Sequence, residues 1–415
     1  MNERPVTRRA LLVVFLTVFI DLLGFGIVLP LLPIYAREFT LDTSGVTLGL
    51  LMASFSAMQF LFAPVWGRVS DRVGRRPILM LGLLGSVVFY TIFGLATAYR
   101  SLFWMFVSRI GAGIAGATIP TAQAYIADVT PPQQRARGMA LIGAAFGLGF
   151  TLGPLLAATA LISSGSAGLS PWPGFTAAGL SAVALTLAAF ALPESLDTRL
   201  VRAARSWYHF DSLRDALTTP TVPALLLTSF VSVLAFAEFE SILAFLMHEP
   251  AQRGGMGLPL VRVLLYFALL GLTHTVVQGA VRGLSKRFSE GTLASFGATV
   301  CAASFVLLAE AVRAERFHWL LVGMVLVGSG AAFLPPCLQS LLSRRTDPSK
   351  QGGVLGVAQS LSALARILGH AIAFPLFFLR PTAPFWTGAG LVGLALTLVL
   401  TNAWRGADFV APATD

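Results

Sequence analysis

Charge is what this sequence has least of. Asp, Glu, Lys and Arg make up 12% of its 415 residues, against about 25% in a soluble domain. So few charges could not cover the surface of a soluble chain this long, which excludes an ordinary globular fold. Cysteine is also scarce. Cys301 and Cys337 both lie inside apolar stretches, which leaves no disulfide framework or cysteine-based metal site and gives two small buried hydrophobes. There is no Gly-rich loop followed by Lys-Ser/Thr and no His-Glu-x-x-His, so nucleotide hydrolysis and that kind of zinc chemistry are not expected. Period-two alternation is absent, which excludes a membrane β-barrel.

What is present is apolar sequence in long runs. Hydrophobic residues make up 56% of the chain. Twelve runs, at 10–36, 46–66, 77–98, 101–126, 138–163, 174–192, 220–247, 260–282, 291–311, 317–341, 353–379 and 384–403, are each near or above the ~20 residues that cross a bilayer as helix. Helix is required because lipid offers backbone groups no hydrogen-bond partners. The first run is too long for a signal-peptide core and lacks a small-residue cleavage site, so it reads as a span. The expected fold is an all-α membrane protein of twelve transmembrane helices. The polar stretch between spans six and seven is its longest connection. It divides the chain into a six-helix bundle at 1–193, a linker at 194–219, a second bundle at 220–404 and a tail at 405–415.

The net charge of +10 raises the question of nucleic acid, but the basic residues sit in short loops beside the spans. Orientation in the bilayer explains them better. Most lie on one side, in the N-terminus and the connections 2–3, 4–5, 6–7, 8–9 and 10–11. Only Arg37, Arg100, Arg253, Arg262, Arg313, Arg316 and Arg380 lie on the other. This places both termini in the cytoplasm. A plasma membrane location (the inner membrane of a bacterium) is expected, with the bilayer as partner and no nucleic acid.

The two bundles repeat. Pro120-x-x-Gln123 recurs as Pro336-x-x-Gln339, an offset of 216. At that offset Gly67 meets Gly283, Thr130 meets Thr346, Pro132 meets Pro348 and Gly153 meets Gly369. Each match falls in the equivalent span or loop. Parallel six-helix repeats of this kind are a transporter architecture with the substrate site between the halves. The charges do not repeat: Asp71 corresponds to Arg287 and Asp128 to Arg344.

The most specific segment is Gly67-Arg68-Val69-Ser70-Asp71-Arg72-Val73-Gly74-Arg75-Arg76-Pro77, read as the loop between spans two and three. Its glycines allow close helix approach and a tight turn, and Asp71 sits where it pairs with arginine. This spacing resembles the signature loop of the major facilitator superfamily. Three further first-half stretches fit the same resemblance: Arg109 in Ser-Arg-Ile-Gly-Ala-Gly, Asp128 and Arg135 flanking the end of span four, and Gly147-Leu-Gly149-Phe-Thr-Leu-Gly153-Pro154. The last is similar to the superfamily's antiporter motif. Small residues at that spacing let helices pack closely, and Pro154 bends its helix.

Over nearly the whole chain the sequence resembles the tetracycline-efflux branch of the drug:proton antiporters, in the group that includes major facilitator superfamily domain-containing protein 10. In the second half the likeness rests on 240–248, on His274-x-x-x-Gln278-Gly279 and on 360–366. The resemblance implies secondary active transport, no enzyme activity, no cofactor and no bound metal, with a small organic substrate and protons as partners and a monomeric carrier. The pumps of this branch carry an acid in span nine. Here that region reads Val300-Cys301-Ala302-Ala303, so their coupling site does not carry over, and span seven becomes the expected place.

Ionisable residues inside spans are costly and mark function. Asp21, Glu238, Glu240 and His274 are the candidates for proton coupling. Glu238 and Glu240 project about 200° apart on a helix, so one of them faces a central cavity, and Glu240 matches the relatives. Arg109, Gln278, Arg366 and His370 are the candidates for substrate binding. His274 shares a face with Gln278, Arg366 shares one with His370, and Glu240–Arg366 is a possible pair. Gly67, Asp71, Arg75, Asp128 and Arg135 form the expected conformational latch, through Asp71–Arg75 and Asp128–Arg135. Gly149, Gly153 and Pro154 form the expected packing motif. The expected function is proton-coupled export of amphipathic organic compounds by alternating access. A symporter or uptake carrier of an organic anion is the first alternative, and a non-transporting receptor on the same fold is the second.

Overall fold

The computed structural model describes residues 8–40, 42–130, 135–165, 168–196, 210–347 and 350–402. These form fifteen α-helices and no strand. In the first half they are α1 (Arg8–Val28), α2 (Leu31–Phe39), α3 (Val46–Val73), α4 (Arg75–Ala98), α5 (Leu102–Ala115), α6 (Ile119–Val129), α7 (Arg135–Ser163) and α8 (Trp172–Ala191). A short α9 (Phe210–Thr218) lies within the expected linker. The second half has α10 (Val222–His248), α11 (Leu260–Leu284), α12 (Glu290–Arg313), α13 (Phe317–Arg345), α14 (Gln351–Leu379) and α15 (Ala383–Asn402). Among the described residues, twelve helical segments are long and apolar enough to cross a bilayer.

Two of the expected spans are each built from two helices. Pro30 has no N–H, and its ring crowds the carbonyl four residues back, so the first span breaks into α1 and α2. In the fourth, a 3₁₀ turn at Gly116–Thr118 separates α5 from α6, and Pro120 follows at the start of α6.

The signature segment corrects the sequence reading, because it is not a loop. Helix α3 runs through Gly67–Val73, and the connection to α4 is Gly74 alone. Gly74 has φ 116°, in a region that a side chain disfavours. Chain with a continuous helical hydrogen-bond pattern on either side needs only this one residue to reverse direction. The close approach expected at Gly67 is not found either. No atom of a neighbouring element lies within 4 Å of where a Cβ would stand.

Within the first half α1 packs on α7 and α8, and α4 packs on α5 and α8. Within the second, α10 packs on α14 and α15, and α12 on α13 and α15. Across the halves, α3 meets α14, α7 meets α11, and α2 meets α10. The antiporter-like motif sits at the α1–α7 crossing. A Cβ on Gly153 would overlap the backbone of Gly26, and Gly149 faces Leu22 in the same way. Backbones that approach this closely replace side-chain packing with direct van der Waals contact, the usual means of helix association in lipid. Cys301 and Cys337 are buried and unpaired.

Candidate functional site

Between the halves lies one large cavity of about 3730 Å³. Its walls run from Asp21, Tyr90 and Glu240 deep inside to Gly67, Asp71, Asp128, Glu194, Arg282 and Gly352 at the mouth. The cavity opens at the end of the molecule that carries the signature segment. The far end, where α2 meets α10, is closed.

The deep wall mixes charge with aromatic surface. From the first half come Asp21 and Phe25 on α1, Phe55 on α3, Tyr90 on α4 and Phe150 on α7. Phe25 lies tilted against Phe55 at 4.9 Å and edge-on to Phe150 at 5.8 Å between ring centroids. From the second half come Phe236 and Glu240 on α10, His274 and Gln278 on α11, and Arg366 and His370 on α14. The His274 ring lies 5.9 Å from that of Phe236, and its Nδ1 has no hydrogen-bond partner.

Glu238 and Glu240 separate as helix geometry requires. Glu240 lines the cavity. Glu238 is fully buried against α15, where Thr387 Oγ1 donates to its Oε1 at 2.5 Å and its Oε2 is left without a partner. Glu240 and Arg366 line the same cavity, and each feels the other's charge. They do not form one of the ion pairs found within 4.0 Å among the described residues. His370 is 5% exposed, and its Nδ1 lies 2.6 Å from Ser241 Oγ, so it ties α14 to α10 at the edge of the cavity.

Arg109 departs from expectation. It does not reach the cavity wall. The side chain is 1% exposed, with its guanidinium 5.2 Å from the centre of the Phe55 ring and 5.9 Å from that of Tyr90. A substrate in the cavity of this conformation would meet those two rings, with the arginine charge behind them. Cation–π contact of this kind partly compensates the desolvated cation.

At the mouth, Arg75 is the hub. Its Nη1 lies 2.6 Å from Asp71 and its Nε 3.2 Å from Asp128 Oδ2. The same Nη1 donates to Ser70 Oγ at 2.6 Å. Asp128 thus has Arg75 as its partner; the side chain of the expected partner, Arg135, lies outside the described residues. All these groups belong to the first half, so the cluster braces that half and leaves the mouth open. Glu194 completes it, accepting from the backbone N–H of Arg75 at 2.9 Å and of Arg76 at 3.1 Å. Those are orphan donors of the first turn of α4, where a carboxylate is favoured. The sequence reading missed Glu194. Its signal was an acid directly after Pro193, where span six ends.

The second half carries a counterpart with its signs exchanged. Arg344, which corresponds to Asp128, meets Glu290 at 2.9 Å, and Ser340 donates to the same carboxylate at 3.0 Å. Glu290 lies one position before the counterpart of Arg75.

The closed end has its own charged cluster, also missed. Arg37 on α2 lies 3.8 Å from Glu249, which caps α10 and is 6% exposed. The same guanidinium sits 5.2 Å from the Phe378 ring of α14 and donates to Asp42 O at 2.6 Å. Arg37 therefore ties the first half to two helices of the second.

Twelve spans in two packed halves around one central cavity define a membrane carrier. Residues 14–370 match the Major Facilitator Superfamily, and the chain belongs to that superfamily of transporters. It is 35% identical to the tetracycline resistance protein, class C, of Escherichia coli, over 96% of this chain and 97% of that one. It is 28% identical to human major facilitator superfamily domain-containing protein 10, over 96% and 94% of the two chains. Among solved structures, that of the human organic anion transporter MFSD10 (TETRAN) superposes with a TM-score of 0.70 at 29% identity, over 95% of this chain and all of that one.

Proposed function

We propose that this transporter exports amphipathic organic compounds, drugs or organic anions, in exchange for protons, with residues 1–193 and 220–404 rocking about the cavity. The observation that carries this reading is the placement of Asp21 and Glu240, from opposite halves, on the walls of one cavity. An ionised carboxylate sealed in an occluded cavity is costly. Each half-cycle therefore needs these two groups neutralised, by protons in one direction and by accompanying charges in the other. With the basic loops cytoplasmic, the open mouth faces the cytoplasm, which is the state in which an exporter loads. Arg366 supplies a cation for an anionic group, and Phe25, Phe55, Phe150 and Phe236 supply apolar surface for the rest of the substrate. The Gly149–Pro154 segment keeps α7 close on α1 as the halves move. Relatives named for tetracycline resistance and for organic anion transport support the same class of substrate.

The test is transport into proteoliposomes of a panel of organic anions, organic cations and neutral drugs, with and without a pH gradient. At least one anionic or amphipathic compound is expected to accumulate only with the gradient. Indifference of the whole panel to the gradient, together with export from cells that uncouplers leave unchanged, overturns the reading.

A further inference from the structure

Asp21 faces two spaces. One is the large cavity. The other is a small cavity of about 10 Å³ behind it, between α1, α4 and the start of α6, lined by Thr17, Asp21, Leu79, Leu83, Thr118 and Ala122 among others. On this measure, on the order of 10–15 Å³ takes one water-sized guest. Two of its polar atoms are in want of partners, although Ser86 hydrogen-bonds the Asp21 carboxylate. Thr17 is 2% exposed and its Oγ1 has no hydrogen-bond partner; Asp21 Oδ1 is buried and likewise unpartnered. Thr17 and Asp21 are four residues apart and share a face of α1. Thr118 comes from the 3₁₀ turn that interrupts span four. One turn on, Thr121 is fully buried with a further unpartnered hydroxyl. Buried polar groups are normally satisfied, so a cluster of unsatisfied oxygens around a guest-sized space needs an explanation.

The internal repeat shows that the fold does not supply one. At the 216-residue offset, Thr17, Asp21, Thr118 and Thr121 correspond to Val233, Ala237, Leu334 and Cys337. All four are apolar, and the second half builds the same helices without them. The oxygens are therefore an addition to the first half.

We propose that this small cavity is a monovalent-cation site of sodium size, with Asp21, Thr17 and Thr118 as oxygen donors, and that sodium and a proton compete for Asp21. One carboxylate with neutral hydroxyls suits a hard, singly charged ion bound through oxygen. A single anionic ligand balances one positive charge and leaves the site neutral, as a buried site must be. The other charged or titratable groups around Asp21 are few. Tyr90 on α4 interacts with it electrostatically, and Arg109 on α5 lies behind Tyr90 and interacts with that ring rather than with Asp21. Among the described side chains, helix α6 brings Tyr125 and Asp128 further along, and α7 and α8 bring none. The site rests on the same Asp21 that the proposed function uses, and it adds a second ion to it.

Thermal unfolding of the purified full-length chain tests this. NaCl, KCl and choline chloride are compared at constant ionic strength, at pH 8 and pH 6. Sodium alone is expected to raise Tm saturably, with at least tenfold higher sodium needed at pH 6. Thr17→Val should weaken the sodium response at least tenfold, Thr17→Ser should restore most of it, and Asp21→Asn should remove it. Identical melting of the wild type in sodium and choline at both pH values overturns the site. An equal response to potassium overturns its sodium selectivity and hence the assignment. Transport in sodium-free medium separates the two claims. If a pH gradient still drives transport while sodium has no effect on melting, the sodium site alone fails; if the gradient drives nothing, the proposed function fails.

Discussion

Glu238 and Glu240 lie two residues apart in the sequence and in different chemical worlds. One faces the central cavity between the halves. The other is sealed against α15, with Thr387 as its described partner. Glu240→Gln is therefore expected to cut gradient-driven transport at least tenfold while leaving thermal stability nearly unchanged. Glu238→Ala should do the reverse. It removes a buried hydrogen bond and leaves Thr387 facing a void, which costs about 1–3 kcal/mol, visible as a lower Tm in detergent. Loss of stability without loss of transport in Glu240→Gln would refute the assignment.

Asp42 makes a second case at this scale, outside the bilayer. Burial penalises its charge. Even so, the N–H groups of Leu48, Ser44 and Gly45 and the Ser44 hydroxyl hold its carboxyl below the ordinary value of 3.8. A carboxyl held low stabilises the fold above its ordinary range, and that contribution disappears as pH falls through the lower folded value. Asp42→Ala should lower Tm at neutral pH by an amount equivalent to about 1–3 kcal/mol. The gap from wild type should narrow at acid pH below that ordinary value. A gap independent of pH would contradict the account.

At the scale of the element, most of the architecture was legible. Runs of apolar residues longer than a bilayer leave little choice of structure, and the helices begin and end near the expected residues. The departures have local causes. Pro30 and the turn at Gly116–Thr118 split two spans. Helix α3 overran its apolar run because polar side chains such as Arg68 and Arg72 continue a helix into solvent as readily as apolar ones continue it in lipid. Partners were harder to read than elements. Arg109 looked like a ligand because intramembrane charge marks function, yet packing between Phe55 and Tyr90 hides it. Arg37, Glu194 and Glu249 lie at span ends, where charge is ordinary, so nothing in the sequence set them apart. The α1–α7 crossing yields an expectation here. Gly153→Leu places a side chain where the Gly26 backbone stands and should abolish the folded, monodisperse protein on size-exclusion chromatography. Gly143→Leu on the same helix, which meets no neighbour within 4 Å, should be tolerated.

At the scale of the whole molecule, the two halves share a fold and divide its chemistry. The first holds its mouth cluster together through Arg75. The second uses Glu290 and Arg344 with the signs exchanged. The closed end is tied by Arg37 to Glu249 and Phe378. Arg37→Ala removes an ion pair and a cation–π contact that exist only while that end is shut. It should shift the population toward the opposite conformation, read as faster labelling of a cysteine placed deep in the cavity by a reagent confined to the far side. Unchanged labelling would show that Arg37 does not hold that end closed.

The central claim is that the halves move reciprocally and that protons bias the motion. Spin labels on cysteines replacing Arg72 and Arg282 report the open mouth, and labels replacing Glu38 and Arg380 report the closed end; all four residues are exposed. Distances measured by pulsed electron resonance at pH 5.5 and pH 8 should change in opposite directions at the two ends, and the change should vanish when Asp21→Asn and Glu240→Gln are combined. Distances that stay fixed at both ends, or shift together, would contradict proton-coupled alternating access.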